Sequence, residues 1–375
     1  MKFNIKIKDV LSEEEEKSFL EKAYYISPII RKIKFNKNLI DIEILTKKNK
    51  QKKIIKKKLS LFLKKIFIVN KRIHQKIIYE NKIKLNNKKF NHFKYLLDNG
   101  YVNKISEGIY SYKGKLLKLK KNIDKKFYNF AISEKFKDVQ YSGIIPVDSA
   151  IKNSYIKSFP NHCLFVSNLK RDINAINKIS KINLDQKSKI KKYSEDSKYL
   201  LSPTVCFNCF ENFQNSTISG NLKITSISNC HRHESLNYKT FERLKVFSMR
   251  ELIIFGSNKD IKMNIEKSIK FFKKIFNKMK LNFKICSATD AFFGIENVEK
   301  KIFQHANNLK FELLMYLPYE KKWLAVASFN NHLDTLTRAY NIKSKKNKTI
   351  YSGCVGVGYE RLLYAIYSQR GFIKV

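Results

Sequence analysis

Twenty-eight phenylalanines and twenty tyrosines in a chain of 375 residues have to be taken out of water, and that requirement constrains the fold more than any other single feature. Aromatic side chains at this density are incompatible with a solvated polyelectrolyte, because each buries a large apolar area on folding. The apolar content, 43%, is sufficient for a packed core. At about 100 to 200 residues per domain, the length predicts two domains, one of them with a substantial interior.

Charge is the next constraint. Seventy-six Lys and Arg against 32 Asp and Glu give a net charge of +44, which by itself suggests a polyanionic partner. Only nine of the 76 are Arg, however, and Lys, Ile, Asn, Phe and Tyr abound while Gly, Ala, Pro and Trp are scarce. That is how an AT-rich coding sequence drifts, so part of the charge is read as solvated lysine. Against this background the retained rare residues are informative. Arg232, Arg243, Arg250, Arg361 and Arg370 all fall in the C-terminal half, and four of the eleven glycines lie between Gly353 and Gly371. A guanidinium kept where lysine is the default points to planar, bidentate work.

Met1 to Val10 alternates charged with apolar residues rather than forming a signal-peptide stretch, and no run approaches a membrane span. The six cysteines (163, 206, 209, 230, 286 and 354) are too scattered for a disulfide framework, so a cytoplasmic chain with reduced thiols is expected.

The first seventy residues predict a small mixed unit. Lys2 to Lys8 alternates like a strand, Ser12 and Glu15 form a capping box before a helix reaching Tyr25, and Ile33–Asn36 and Leu39–Leu45 read as a hairpin. Lys52 to Ile68 has the spacing of an amphipathic helix. Residues 31 to 90 hold 21 basic and 3 acidic side chains, about +18. A linker near residues 82 to 95 divides a basic α+β domain, 1–90, from a larger domain, 91–375. In the latter, Lys223–His231, Lys245–Phe255, Phe311–Leu317, Trp323–Phe329 and Tyr351–Gly358 read as strands. Asn258–Leu281 and Tyr359–Gln369 read as helices. Hairpin-scale connections with helices outside predict an antiparallel sheet in an α+β fold.

Two constellations carry chemistry. In the first, Cys230-His231-Arg232-His233-Glu234 precedes a loop and then Phe247-Ser248-Met249-Arg250-Glu251. Strand alternation puts Arg232 and Glu234 on one face, and Phe247, Met249 and Glu251 on one face of the partner. These can line a ligand surface or a salt-bridged surface hairpin. The second runs from Gly353 to Arg361, where Gly356 and Gly358 permit close approach to the backbone or mark a strand bend, and Arg361 can meet a phosphate or a purine.

Together, Arg-x-Glu, a loop, Phe-x-x-x-Glu and, about a hundred residues on, Gly-x-Gly-x-x-Arg resemble motifs 2 and 3 of class II aminoacyl-tRNA synthetases. Pro203-Thr204-Val205-Cys206, Met249-Arg250-Glu251, Asp290 to Gly294, Ser328 to Asp334 and Cys354-Val355-Gly356 narrow the resemblance to amino acid:[carrier protein] ligases. These are homologues of the core of zinc-dependent, methanogen-type seryl-tRNA synthetases. The resemblance covers roughly residues 95 to 375.

It implies activation of a small amino acid with ATP and transfer to the phosphopantetheine thiol of a carrier protein, by a homodimer, without charging tRNA. Arg232 is then expected at the α-phosphate and substrate carboxylate, Phe247 and Arg361 about the adenine, and Glu234 at its edge, with Gly356 and Gly358 beside the nucleotide. The family's zinc ligands map onto Cys206, Glu251 and Cys354, leaving a fourth position for the substrate amine. A closed zinc knuckle of Cys206, Cys209, Cys230 and a histidine, or inert buried thiols, are the competing readings. The Mg²⁺ carboxylate is unassigned, with Glu312 a candidate. The chain departs from the family at Ser248, where an Arg is usual, at Asn331 and Thr335, which replace an aromatic and a His, and at Val357 and Tyr359; the loop from Glu234 to Glu251 also looks longer. A seryl-type tRNA synthetase with the basic unit on RNA, or a non-enzymatic RNA-binding relative, are the alternative functions.

Overall fold

The structure is a computed structural model that describes residues 1–373 apart from 8–9, 12, 71–74, 86–89, 235–237, 239, 294–297 and 346–348. Ser12 of the expected capping box, Gly294, and parts of the 82–95 linker and the 234–251 loop lie outside the described residues.

Alternation governs the N-terminal unit. Strand β1 (Lys2–Lys6) buries Phe3 and Ile5 and exposes the residues between them. Helix α1 (Glu13–Ala23) follows, then β2 (Ile30–Asn36) and β3 (Leu39–Ile44), joined through Lys37 at a φ of 46°. Helix α2 (Asn49–Asn70) closes the unit. The three strands pair antiparallel in the order β1-β3-β2, and Phe19, Ile30, Ile40, Ile42 and Leu59 form a core separate from that of the rest of the chain. Strand β4 (Ile77–Asn81), on the N-terminal side of the division expected at residue 90, adds to the large sheet by pairing with Phe283–Ser287.

Beyond it, α3 (His92–Asp98), capped by Asn91, leads to the hairpin β5 (Val102–Ser106) and β6 (Ile109–Tyr112), then α4 (Gly114–Ser133) and β7 (Lys137–Asp138). A three-stranded sheet follows from β8 (Ile144–Pro146), β9 (Phe165–Val166) and β10 (Tyr199–Leu201). Helices α5 (Val147–Lys152), α6 (Tyr155–Ser158) and α7 (Ile173–Ile179) are interspersed with it. Next come α8 (Cys206–Asn212), β11 (Thr217–Ile218), the long pair β12 (Leu222–His231) and β13 (Val246–Gly256), and α9 (Asn258–Lys278). Ser257 and Asp260 form a capping box at the start of α9. The chain ends with β14 (Phe283–Ser287), α10 (Val298–Ala306), β15 (Lys310–Leu317), β16 (Lys322–Leu333), α11 (Thr335–Ala339), β17 (Lys343–Ser344), β18 (Tyr351–Gly358) and α12 (Tyr359–Arg370).

Eight of these strands form one sheet in the order β4-β14-β15-β16-β18-β13-β12-β7. Every pairing in it is antiparallel except the short edge β12-β7. The expected α+β class with an antiparallel sheet therefore holds, with one parallel edge that two residues of β7 could not announce.

The two faces of this sheet differ. Leu252, Ile254, Val355 and Val357 point to a core filled by α4, α9 and α12, including Leu119, Ile265, Phe272, Leu363 and Tyr364. On the opposite face Ile224, Ile253, Phe255 and Cys354 pack against Phe210 of α8 and Tyr340. Along β12 and β13 that second face turns polar, and there the candidate site begins.

The helix-side face contains one buried ion pair. Arg250, 5% exposed, takes Asp124 of α4 with both Nε (2.6 Å) and Nη2 (3.1 Å), donates to Thr225 Oγ1 (3.2 Å), and lies over the Tyr128 ring. The Tyr359 hydroxyl donates to the same carboxylate. Removing the carboxylate would strand a buried guanidinium, which typically costs about 3 kcal/mol or more. Asp124→Ala is therefore expected to lower unfolding stability by about 3 kcal/mol in a urea titration, whereas Lys94→Ala, which breaks an exposed pair with Asp98, is expected to change it by under about 1 kcal/mol.

Candidate active site

Strand alternation sorts the motif residues of β13. Ser248 and Arg250 point to the helix side: Ser248 donates from its amide (2.8 Å) and hydroxyl (2.7 Å) to Glu360 of α12, which also accepts from Tyr112. Phe247, Met249 and Glu251 point to the other face. The departures at Ser248, Val357 and Tyr359 thus all lie on the helix side, where they pack α4 and α12. Asn331 donates to Asn258 Oδ1 (2.9 Å), and Thr335 opens α11.

On the open face, Cys206, Glu251 and Cys354 are all buried, and one ligand atom from each lies within 4.8 Å of the others. Cys206 arrives at the first turn of α8, Glu251 from mid-β13, and Cys354 from β18, where it is registered beside Ile253. Glu251 is held by Thr204 Oγ1, by the Val205 amide (3.3 Å) and by the Cys206 amide (3.0 Å). Cys354 Sγ is approached by Asn330 Nδ2 (3.4 Å) and His332 Nε2 (3.5 Å).

The electrostatics are those of acidic groups crowded together away from water. Burial pushes the Glu251 carboxyl up to about 7, and the Cys354 sulfur beside it adds to the rise. A hydrogen bond from Cys206 holds Cys354 well below the usual thiol range, with His332 assisting, while Cys206 is raised correspondingly. Two thiols and a carboxylate at this spacing suit a tetrahedral Zn²⁺, whose Zn–S bonds of about 2.3 Å place donors about 4 Å apart. This is the one cluster of three or more such donors among the described residues. Cys209 and Cys230, the other sulfurs of the expected knuckle, stand outside it; burial raises both thiols, Cys209 to about 12.

Beside the cluster is a group of guanidiniums. Arg232, just past the end of β12, lies 5.2 Å above the Phe247 ring and donates from Nε to the Pro203 carbonyl (3.1 Å). Arg243 pairs with Glu234 at 2.5 Å, and both are largely buried. Arg361, in the first turn of α12, donates to the carbonyls of Glu242 (2.7 Å) and Ala325 (3.3 Å). Burial and the neighbouring positive charges of Arg243 and Arg232 pull the Arg361 pKa down, against the opposing pull of Glu234. The Glu234 carboxylate, in contact with Arg243, is also felt electrostatically by Arg232 and Arg361.

Gly356 faces the same space: a Cβ there would meet Met249 Sδ at 3.3 Å and Glu251 Cγ at 3.6 Å. At Gly358 a Cβ would meet nothing closer than the Val326 carbonyl, 4.0 Å away. Gly353 has a different role, since a side chain there would collide with Ile261 and the Asn330 carbonyl. Glu312, the candidate for Mg²⁺, is paired at 3.3 Å with the buried Lys310, which also holds Asp290 at 2.5 Å.

The nominated residues therefore fall into two neighbouring groups, Cys206, Glu251 and Cys354 on the one hand and Arg232, Glu234, Phe247 and Arg361 on the other. Arg243, Thr204, Asn330 and His332 were not assigned roles in advance. Arg243 had a signal, being one of the few arginines retained; the other three sit in the Pro203–Cys206 and Ser328–Asp334 segments already singled out.

The sheet and its bordering helices have the fold of the class II aminoacyl-tRNA synthetase core, and the profile of the tRNA synthetase class II core domain (G, H, P, S and T) matches residues 189–370. Among solved structures, the fold is similar to that of M. kandleri SerRS in complex with A. aeolicus tRNASec, with a TM-score of 0.71 at 14% identity, covering 99% of this chain and 75% of that one. It is also similar to seryl-tRNA synthetase from Pyrococcus horikoshii complexed with ATP, with a TM-score of 0.60 at 14% identity over 86% of this chain and 77% of that one.

Within the class, the chain is a homologue of amino acid–carrier protein ligases and of methanogen-type seryl-tRNA synthetases. It is 29% identical over 225 residues to amino acid–[acyl-carrier-protein] ligase 1 of Bradyrhizobium diazoefficiens, 59% of this chain and 67% of the relative. To the type-2 serine–tRNA ligase of Methanopyrus kandleri it is 22% identical over 256 residues, 63% of this chain and 48% of the relative. The chain thus spans about half the length of the serine–tRNA ligases it matches.

Proposed function

We propose that this chain activates a small amino acid with ATP as an aminoacyl-adenylate and passes it to the phosphopantetheine thiol of a carrier protein. The observation that carries the reading is the juxtaposition of the Arg232, Arg243 and Arg361 group with the Cys206, Glu251 and Cys354 cluster. The first suits a polyphosphate and the second suits Zn²⁺ with a fourth position for an amine.

In this reading Arg232, which feels both Glu234 and Glu251, spans the two halves. Its guanidinium would hold the amino acid's carboxylate against the α-phosphorus and stabilise the charge that grows on the phosphoryl oxygens as the carboxylate attacks and pyrophosphate leaves. Arg361 would cover the adenine with Phe247 on its other side, and Glu234, fixed by Arg243, would accept from the adenine edge. Gly356 and Gly358 leave the space the nucleotide requires. Zn²⁺, held by Cys206, Glu251 and Cys354, would supply a Lewis-acid contact for the neutral amine. Mg²⁺ would enter with the nucleotide. In the second step the carrier's thiolate attacks the acyl carbon and AMP leaves, forming a thioester.

The experiment is covalent labelling. After incubation with ATP and a labelled small amino acid, label is expected on a holo carrier protein, released by neutral hydroxylamine, and absent from tRNA. A thiolate needs only a channel to the adenylate, whereas tRNA needs an extended surface. Label on tRNA with the carrier bare would assign the chain to tRNA charging. No adenylation with any amino acid would remove the enzyme reading.

A further inference from the structure

Helix α2 has two contrasting sides. Ile55, Leu59 and Leu63 are buried in the core of the N-terminal unit. On the opposite side, following the 3.6-residue period, stand Lys50, Lys53, Ile54, Lys57, Lys58, Leu61 and Lys64, all exposed. The helix contains no Asp or Glu, so its lysines have no i,i+4 partner and repel one another. Ile54 and Leu61, 48% and 54% exposed, are two turns apart in the middle of this stripe.

A lysine stripe alone attracts any polyanion. The aliphatic centre distinguishes among them. Lysines meet nucleic acid phosphates as readily as they meet carboxylates, but binding to the bases calls for exposed aromatics on which they can stack. The stripe formed by Lys50, Lys53, Ile54, Lys57, Lys58, Leu61 and Lys64 has no aromatic. Two aliphatics within a ring of flexible cations match a protein surface instead, apolar at its centre and acidic at its rim.

The unit carrying this stripe is also fastened beside the candidate site. Helix α1, which packs on α2, ends in Lys22 and Ala23, and Lys22 Nζ donates to the Phe292 carbonyl. The Tyr25 hydroxyl donates to the carbonyls of Asn161 (3.0 Å) and His233 (3.5 Å), and His233 lies between Arg232 and Glu234. A partner seated on α2 therefore rests on a unit that is hydrogen-bonded next to Arg232 and Glu234.

We propose that the exposed face of α2 is the docking surface for the acidic carrier protein that receives the amino acid. The lysines steer the encounter, and Ile54 with Leu61 form the apolar contact. The proposal rests on the carrier-protein reading of the site, and its test separates the two.

In the full chain, Lys53→Glu/Lys57→Glu and Ile54→Ser/Leu61→Ser are compared with wild type in three assays. These are amino-acid-dependent pyrophosphate exchange, loading of a holo acyl carrier protein, and direct binding of that protein and of bulk tRNA by fluorescence anisotropy. Charge reversal is expected to raise the carrier KM and Kd about tenfold, and the apolar variant about threefold, with exchange within twofold of wild type. Unchanged carrier Kd in both variants overturns the docking surface, whether or not the wild-type chain adenylates. Tight tRNA binding that is lost on charge reversal but untouched by the serine variant also overturns it, since that pattern belongs to phosphate contacts. Absence of exchange in wild type refutes the adenylation reading, while the anisotropy still decides the docking surface.

Discussion

One Zn²⁺ per chain is the expected stoichiometry, with Cys206→Ser or Cys354→Ser abolishing it and Cys209→Ser or Cys230→Ser leaving it intact. Metal analysis after desalting, together with competition against a chromophoric chelator, provides the check. Cys206, Glu251 and Cys354 bring their ligand atoms within 4.8 Å of one another, and neither Cys209 nor Cys230 joins them. With three protein ligands, loss of one thiolate removes a third of the donor set, and affinity should fall by a hundredfold or more, on the order of the losses seen when support for a site is removed. Glu251→Ala should weaken zinc as well, and amino-acid activation more than nucleotide binding. Zinc retained in Cys354→Ser but lost in Cys209→Ser would restore the knuckle.

The second large effect is expected at Arg232. Arg232→Ala should reduce amino-acid-dependent pyrophosphate exchange on the order of a thousandfold, the loss typical of removing a donor aimed at charge that develops in the transition state. Arg232→Lys should recover little, because a point charge cannot replace a planar fork spanning carboxylate and phosphate. Zinc content is expected to be unchanged, which distinguishes this loss from collapse of the neighbouring cluster. Exchange within tenfold of wild type in Arg232→Ala would remove this residue from the reaction.

Much of this was legible from the residue order because β12 and β13 are long and paired without a bulge, so one placed side chain fixes the rest. Once Glu251 is placed on the open face, Phe247 and Met249 follow, and Ser248 and Arg250 must go to the helices. The 3.6-residue period likewise located α9 and α12 to within a few residues. The metal cluster is different: its members come from a helix start and two strands, and no spacing rule ties residue 206 to 251 or 354, so only the resemblance nominated them. Arg243 was hidden because the segment between β12 and β13 has no period from which to infer where a side chain points. Strand β4 was missed as a sheet member because its partner lies about two hundred residues downstream. Strands β8, β9 and β10, two or three residues each, are too short to carry a pattern.

The Glu251 carboxylate, gripped by the amides of Val205 and Cys206, has a further consequence. In a zinc finger the ion gathers its own ligands, and folding and metal uptake are one event. Here the backbone of one segment already fastens the carboxylate of another, and the surrounding apolar packing brings in the sulfur of β18, so the cradle is preformed by the fold rather than by its occupant. A chain built this way would keep its fold when the ion is removed, and a bound ion would add stability only through its own affinity for the folded state.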